Sequence, residues 1–312
     1  MRALAVLRRL LTGPPPLRHD LVRAARRAPE ILGESTALVR DFLLRKQNPD
    51  GGFQDRTGRS DLYYTVFGLQ ALLALQAPIA PGPLCIYLDA FGDGAGLDFV
   101  HLCCLARCLA ILDRETGVRD SLARRIEIHR SADGGYHPLP GSRNGTAYAA
   151  FLALGAHQDL HTRLPAPGRL VNSLRHLATP DGAWANESPA KIASTNSTAA
   201  ALAVLGSIKP LVVQRKPGRW LLAQAHPLGG FRASPLAPLP DLLSTATVLH
   251  AMAAHGVSVA PVREPCLDFL DTLWSNEGGF HGHWHDDVLD VEYTFYGILA
   301  LGHLAGYITR QR

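Results

Sequence analysis

One phrase recurs along this chain: a glycine-rich turn ending in an aromatic, a variable loop, then a helix of small and apolar residues. Five copies are plain, at Asp50-Gly51-Gly52-Phe53, Asp133-Gly134-Gly135-Tyr136, Asp181-Gly182-Ala183-Trp184, Gly229-Gly230-Phe231 and Gly278-Gly279-Phe280. A degenerate copy at Phe91-Gly92-Asp93-Gly94-Ala95-Gly96 evens the spacing and makes six. The interval of roughly 40 to 50 residues is the length of one helical hairpin, which cannot bury its own apolar face and has to stack on its neighbours.

The segments after the turns, 62–75, 99–112, 145–157, 195–207, 242–255 and 291–304, are apolar round most of their circumference. Such helices need burial on both sides, which predicts an inner ring. The segments before the turns, such as 36–46 behind the candidate cap Ser35, 120–129, 168–177 and 262–273, are more amphipathic and predict an outer ring. The turn glycines fit a tight reversal that needs positive φ and close backbone approach. Alternation of period two never persists for more than a few residues, so no strand is expected. The predicted fold is all-α, with six helical-hairpin repeats in two concentric rings, an α6/α6 barrel over residues 35–312 preceded by a basic, helical arm over 1–34.

With 312 residues, 47% hydrophobic and 19% charged, the chain has material for one large core. Charge is uneven: residues 1–46 hold ten basic and four acidic side chains, and the whole chain is only +4. A basic arm on a slightly acidic body suits an acidic partner surface or anionic lipid, whereas nucleic acid calls for a basic stripe on the body, so nucleic acid is not expected. Residues 3–11 are read as a basic amphipathic helix that docks on its own barrel or touches a membrane face. The opening is too short and too interrupted by arginine for a signal sequence, and no run of 18 apolar residues follows. Five cysteines (Cys85, Cys103, Cys104, Cys108, Cys266) without a CxxC pair signal neither a disulfide framework nor a structural zinc module. These features predict a soluble, cytoplasmic protein.

Gln47-Asn48-Pro49-Asp50-Gly51-Gly52-Phe53, followed by Ser60-Asp61-Leu62-Tyr63-Tyr64-Thr65-Val66-Phe67-Gly68-Leu69-Gln70-Ala71-Leu72, resembles the repeat of protein prenyltransferase β subunits and squalene-terpene cyclases. The stretch from Asp290 to Leu301 looks like the closing repeat of a prenyltransferase β subunit. The likeness runs from about residue 35 to 306 and implies the α/α toroid of that family, with an isoprenoid or other lipid in a central apolar cavity and an α-subunit-like partner. It also implies a zinc site whose three ligands fall here on Asp241, Leu243 and Tyr293, of which only the aspartate is a donor of the family type. The family's diphosphate clamp falls on Pro235, Pro238 and Ser244, and a histidine of the fourth repeat near Ser194, so cations and donors are missing. The Asp-x-Asp-Asp acid of the cyclase branch has no counterpart in this chain, which disfavours a cyclase-type protonation.

In place of the family site stands His281-Gly282-His283-Trp284-His285-Asp286-Asp287, leading into the sixth inner helix. Imidazoles and carboxylates at this density form a ligand set for zinc, and the expected metal residues are Asp241, His281, His283 and His285, with solvent-facing histidines as the alternative. Asp286 to Asp290 spells DDxxD, a magnesium-diphosphate motif of another terpene synthase class. Asp61, Asp98, Asp241 and Asp290 also fall at inner-helix starts, where carboxylates cap free N–H groups.

Candidate catalytic residues are Asp241, Asp290 and Tyr293. Tyr63, Tyr64, Phe67, Tyr148 and Tyr296 are the candidate cavity residues, from an aromatic set that also includes Phe99, Phe151 and Phe295. The leading expectation is a prenyltransferase-like or terpene-cyclase-like transferase with an altered metal site. The alternative is a non-catalytic toroid binding a hydrophobic ligand or a protein partner. A carbohydrate-active barrel using Asp61, Asp241, Asp290 and Glu292 comes third. A thioester protein is excluded by the absence of its Cys/Gln motif.

Overall fold

The computed structural model describes residues 16–114, 117–189, 192–208 and 215–305. Residues 3–11, read above as an amphipathic helix, lie outside them. Two short helices, α1 (Leu17–Ala25) and α2 (Pro29–Leu32), lead into a strict alternation of outer and inner helices. In chain order these are α3 (Ser35–Arg45) and α4 (Leu62–Ala74), α5 (Pro81–Asp89) and α6 (Phe99–Ile111), then α7 (Arg119–Glu127) and α8 (Ala147–Asp159). They continue as α9 (Pro167–His176) and α10 (Thr195–Ile208), α11 (Arg215–Leu222) and α12 (Leu242–Ala254), and finally α13 (Arg263–Leu273) and α14 (Val291–Ala305). The inner helices pack in sequence, α4 on α6, α6 on α8, and so on to α12 on α14, and α14 packs back on α4. Six hairpins therefore close into a ring, and the α/α toroid expected from the repeat is the fold.

The apolar wrapping of the inner helices has the consequence the sequence implied. In α4 every residue is buried except Tyr63, Tyr64 and Leu73. Outer helices bury one stripe only, Val39, Phe42 and Leu43 in α3 for example. Ser35 proves to be the first helical residue rather than the cap, because the chain arrives from α2 already helical at Glu34.

Each glycine turn docks on the outer helix of the next hairpin. At Gly51 φ is +96°, and a Cβ there would lie 2.3 Å from the Leu84 nitrogen of α5. At Gly278, φ +94°, a Cβ would lie 2.1 Å from the Leu38 carbonyl oxygen, so the last turn seats on the first outer helix and seals the ring. Only glycine meets both demands. The aromatic that follows has its own backbone N–H held by a threonine of the inner helix: Phe53 donates to Thr65 Oγ1 at 2.9 Å, Trp184 to Thr198 at 3.0 Å, Phe231 to Thr245 at 2.9 Å and Phe280 to Thr294 at 3.3 Å. The Phe53 and Phe280 rings lie against Gly68 and Gly297 of their own inner helices. Two two-residue antiparallel pairings, Phe53–Gln54 with Ser60–Asp61 and Phe231–Arg232 with Pro240–Asp241, brace these loops without forming a true sheet.

All six inner helices start at the rim that carries the turns. Their other ends are covered by α1, which packs on α14, α4 and α8. The Leu17 N–H donates to Gln158 Oε1 at 2.9 Å, Arg18 Nε to Asp159 Oδ1 at 3.0 Å, and Gly302 admits the Ala24 carbonyl. The described part of the basic arm is thus helical and docked on its own toroid. All five cysteines are unpaired. No described helix is long and apolar enough to cross a membrane.

Candidate functional site

The four rim aspartates do cap. Asp61 accepts from the Tyr63 and Tyr64 N–H groups, Asp98 from His101, Asp241 from Ser244 and Asp290 from Tyr293. Thr146 and Ser194 take the same role at the starts of α8 and α10. Each such cap is worth about 1 kcal/mol. Asp241 is further committed, because its Oδ2 accepts from the Ser244 hydroxyl at 2.7 Å. Burial pushes its carboxyl above the usual range, against the two hydrogen bonds from Ser244.

Asp290 and Asp286, the outer pair of the DDxxD stretch, are both bound by one cation. Arg56 Nε donates to Asp290 Oδ2 at 2.8 Å, while Nη1 and Nη2 clasp Asp286 at 3.1 and 2.8 Å. The guanidinium also lies 5.4 Å from the Tyr293 ring centre. The oxygens of those two carboxylates are therefore already engaged by a protein cation, a poor arrangement for gathering magnesium.

The residues expected to hold zinc are not brought to a common point. The histidine loop does lie beside Asp241, since the Leu242 N–H donates to the Gly282 carbonyl and His283 acts electrostatically on Asp241. However, His283 Nδ1 accepts the His285 N–H at 3.1 Å, and His281 Nδ1 is buried with no hydrogen-bond partner among the described residues. No described group of three or more histidines, cysteines or carboxylates is arranged to hold a metal ion. Leu243 has no donor atom, and a neutral phenol at Tyr293 is no zinc ligand of the family type. These residues do not fit the family zinc.

Chemistry concentrates instead on the axis. Across all six inner helices only three residues are Asp, Glu, Lys or Arg: Arg107, Asp159 and Glu292. Glu292 sits in the first turn of α14, two residues beyond the cap, and accepts the Tyr63 hydroxyl of α4 at 2.6 Å. The hydroxyls of Tyr63, Tyr148 and Tyr296 act electrostatically on one another and on Glu292. Since α8 stands opposite α14 in the ring, this mutual reach means the four groups converge on the axis. Phe67 extends the cluster inward, its ring centre 4.9 Å from Tyr63 and 5.4 Å from Tyr296. Burial pushes the Glu292 carboxyl up to about 7, against the Tyr63 hydrogen bond, with Asp290 adding to the rise and Arg56 opposing it. The group therefore carries its proton for much of the time at neutral pH.

Of the expected cavity residues, Tyr63, Phe67, Tyr148 and Tyr296 come together, whereas Tyr64 lies at the rim near Arg56 and Asp290. Phe99 and Phe295 are fully buried core residues. Glu292 appeared in the sequence reading only among the acids of a carbohydrate-active barrel, and Arg56 and Arg107 did not appear at all. For Glu292 and Arg107 the available signal was a charge inside an otherwise apolar inner helix. A second polar feature lies at the rim between the first two hairpins, where a cleft of about 300 Å³ is lined by Asp61, Tyr87, Asp98 and His101 among others. His101 bridges the two aspartates, Nε2 to Asp61 at 3.1 Å and Nδ1 to Asp98 at 2.9 Å. The Asp61 hydrogen bond chiefly, with Asp98, raises its imidazole to about 9 against the opposing effect of burial.

Comparison with known proteins agrees with this architecture. The chain is 28% identical over 261 residues to drimenyl diphosphate synthase from Streptomyces showdoensis, which covers 72% of this chain and 48% of that protein. It thus spans about half the length of this relative. Type II terpene cyclase MstE from Scytonema, in complex with geranylgeranyl dihydroxybenzoate, superposes with a TM-score of 0.60 at 14% identity, covering 93% of this chain and 98% of that one. Candida albicans protein geranylgeranyltransferase-I complexed with GGPP gives a TM-score of 0.62 at 16% identity, covering 80% and 89%. At these identities the two structures speak for the fold alone. The prenyltransferase alpha-alpha toroid domain matches residues 29–101 and 195–309, more than half of the sequence, and the chain belongs to that family.

Proposed function

We propose that this chain binds an isoprenoid along the axis of its inner ring and rearranges it by proton transfer from Glu292. The observation that carries the reading is the Glu292 position: a desolvated carboxyl, held by one phenol, facing aromatic rings from α4, α8 and α14. Tyr148 supports a concave wall there, because it is 40% exposed and yet burial raises its phenol. The names of the relatives supply the substrate class, since drimenyl diphosphate, geranylgeranyl dihydroxybenzoate and GGPP are all isoprenoids with an anionic or acidic end.

The chemistry follows from the parts. The Glu292 O–H bond breaks as the proton joins one carbon of an isoprenoid double bond, whose electron pair forms the new C–H bond and leaves a tertiary cation on the other carbon. The faces of Tyr63, Phe67 and Tyr296 stabilise that cation through their quadrupoles, by about 0.5 to 2 kcal/mol each. Attack by a second double bond passes the cation to another carbon, loss of a proton from a carbon next to the last cation to water at the rim ends the sequence, and water returns a proton to the Glu292 carboxylate. The net reaction is an isomerisation. It needs no metal, and the acid comes from α14 instead of an Asp-x-Asp-Asp motif.

The test is incubation with geranylgeranyl diphosphate or geranylgeranyl dihydroxybenzoate in deuterated water. One deuterium bound to carbon in the product, absent with Glu292→Gln, is the expected result. A ligand that binds and returns unlabelled would sink the reading and leave a non-catalytic binding toroid, the assignment suggested by the missing ligands at Leu243 and Tyr293.

A further inference from the structure

The covered end of the ring holds a charge imbalance that proton transfer at Glu292 does not use. Asp159, at the end of α8, is shared by two guanidinium groups: Arg18 Nε of α1 meets Oδ1 at 3.0 Å, and Arg107 Nε of α6 meets Oδ2 at 2.5 Å. The carboxylate is fully enclosed, its side chain 1% exposed, and Arg107 is 9% exposed. Two cations on one buried anion leave a net positive charge where an unpaired charge is costly.

The geometry of Arg107 shows where that charge points. Only its Nε is spent on Asp159. The Nη1 amine reaches Gln70 Oε1 at the long distance of 3.5 Å, and Nη2 has no acceptor among the described residues. Gly155 of α8 makes the room, since a Cβ there would lie 2.6 Å from Nη2. The planar fork that binds carboxylate or phosphate through two parallel hydrogen bonds is therefore unspent. It stands within electrostatic reach of the Tyr148 hydroxyl, on which Glu292 also acts.

We propose that Arg107 anchors the anionic head group, carboxylate or phosphate, of the axial ligand at the end of the ring covered by α1, with the apolar chain running back through the aromatic section toward Glu292. This rests on the reading of the chain as an isoprenoid-binding toroid and adds the ligand's polarity and direction. The unspent fork and the single excess charge suit a group that accepts two hydrogen bonds.

The test is calorimetric titration of the full chain with three ligands of one chain length: geranylgeranyl alcohol, the corresponding carboxylic acid and the diphosphate. Charge-assisted hydrogen bonds of about 1.5 to 3 kcal/mol predict that at least one anionic ligand binds about 10-fold or more tighter than the alcohol. Which anion binds tighter distinguishes a carboxylate from a phosphate ligand. Arg107→Gln should bring the anions down to the alcohol's affinity and leave the alcohol within about 2-fold. Arg107→Lys should keep a reduced preference, and Arg18→Gln should keep it in full. Asp159 retains Arg18 as partner in the Arg107 variants, so their melting temperatures report whether they fold. Equal binding of alcohol and anions, or parallel weakening of all three ligands by Arg107→Gln, overturns this proposal alone. Binding of none of them overturns the isoprenoid reading as well.

Discussion

At the open rim, Glu292 has one neutral partner, the Tyr63 hydroxyl, and a desolvated setting that holds its proton up to about 7. At the covered end, Asp159 is fully buried and lies between two guanidinium groups. Burial disfavours the charged form of Glu292, whereas Asp159 has two guanidinium groups in direct contact. The same ring of apolar helices thus builds a proton donor at one end and a cationic anchor at the other, and the two side-chain environments do it without altering the fold.

Substitutions that exchange these settings should have graded effects. The largest belongs to Glu292→Gln, which removes the proton while keeping the shape: turnover should fall by about 10³-fold, within the range for a lost general acid. Its stability should move the other way. The folded-state carboxyl titrates above its unfolded value of 4.5, so its contribution is most favourable below that pH and is lost as pH rises through 7. At pH 8 the variant should therefore be at least as stable as the wild type in urea unfolding, and a large destabilisation would mark Glu292 as structural.

Asp159→Asn comes next, because it leaves two guanidinium groups buried beside a neutral amide. A loss of about 3 kcal/mol in unfolding free energy is expected, with loosening of α1 visible in hydrogen exchange. Smallest is Asp241→Ala, which removes a helix cap: about 1 kcal/mol of stability, with turnover within about 3-fold of wild type. A collapse of activity in that variant would move the catalytic acid from Glu292 to Asp241.

The ring was legible in the sequence for a definite reason. Glycine followed by an aromatic answers a local geometric demand, positive φ and a close approach to the next outer helix, and that demand recurs six times. A threonine four residues beyond four of the six caps, at Thr65, Thr198, Thr245 and Thr294, marks the hydrogen bond that holds the turn there. The site was less legible. Asp241 aligns with a family zinc ligand and Asp290 ends a DDxxD stretch, but their oxygens are committed to Ser244, Tyr293 and Arg56. The histidines of the 281–285 loop are dense in sequence yet have no shared focus. Glu292 and Arg107 depend on which residues of different helices face one another across the ring, Tyr63 and Tyr148 in one case, Gln70 and Gly155 in the other. No local pattern encodes those juxtapositions, although a lone charge in each apolar helix was there to be noticed.

The central claim, that the axial carboxyl holds its proton near neutral pH, is tested most directly by following the Glu292 side-chain carbon by NMR in selectively labelled protein, with Glu292→Gln to identify its signal. The account predicts a titration centred at about 7, moving downward when Arg or Lys is placed at Tyr63. A midpoint at the ordinary glutamate value of 4.5 would contradict it.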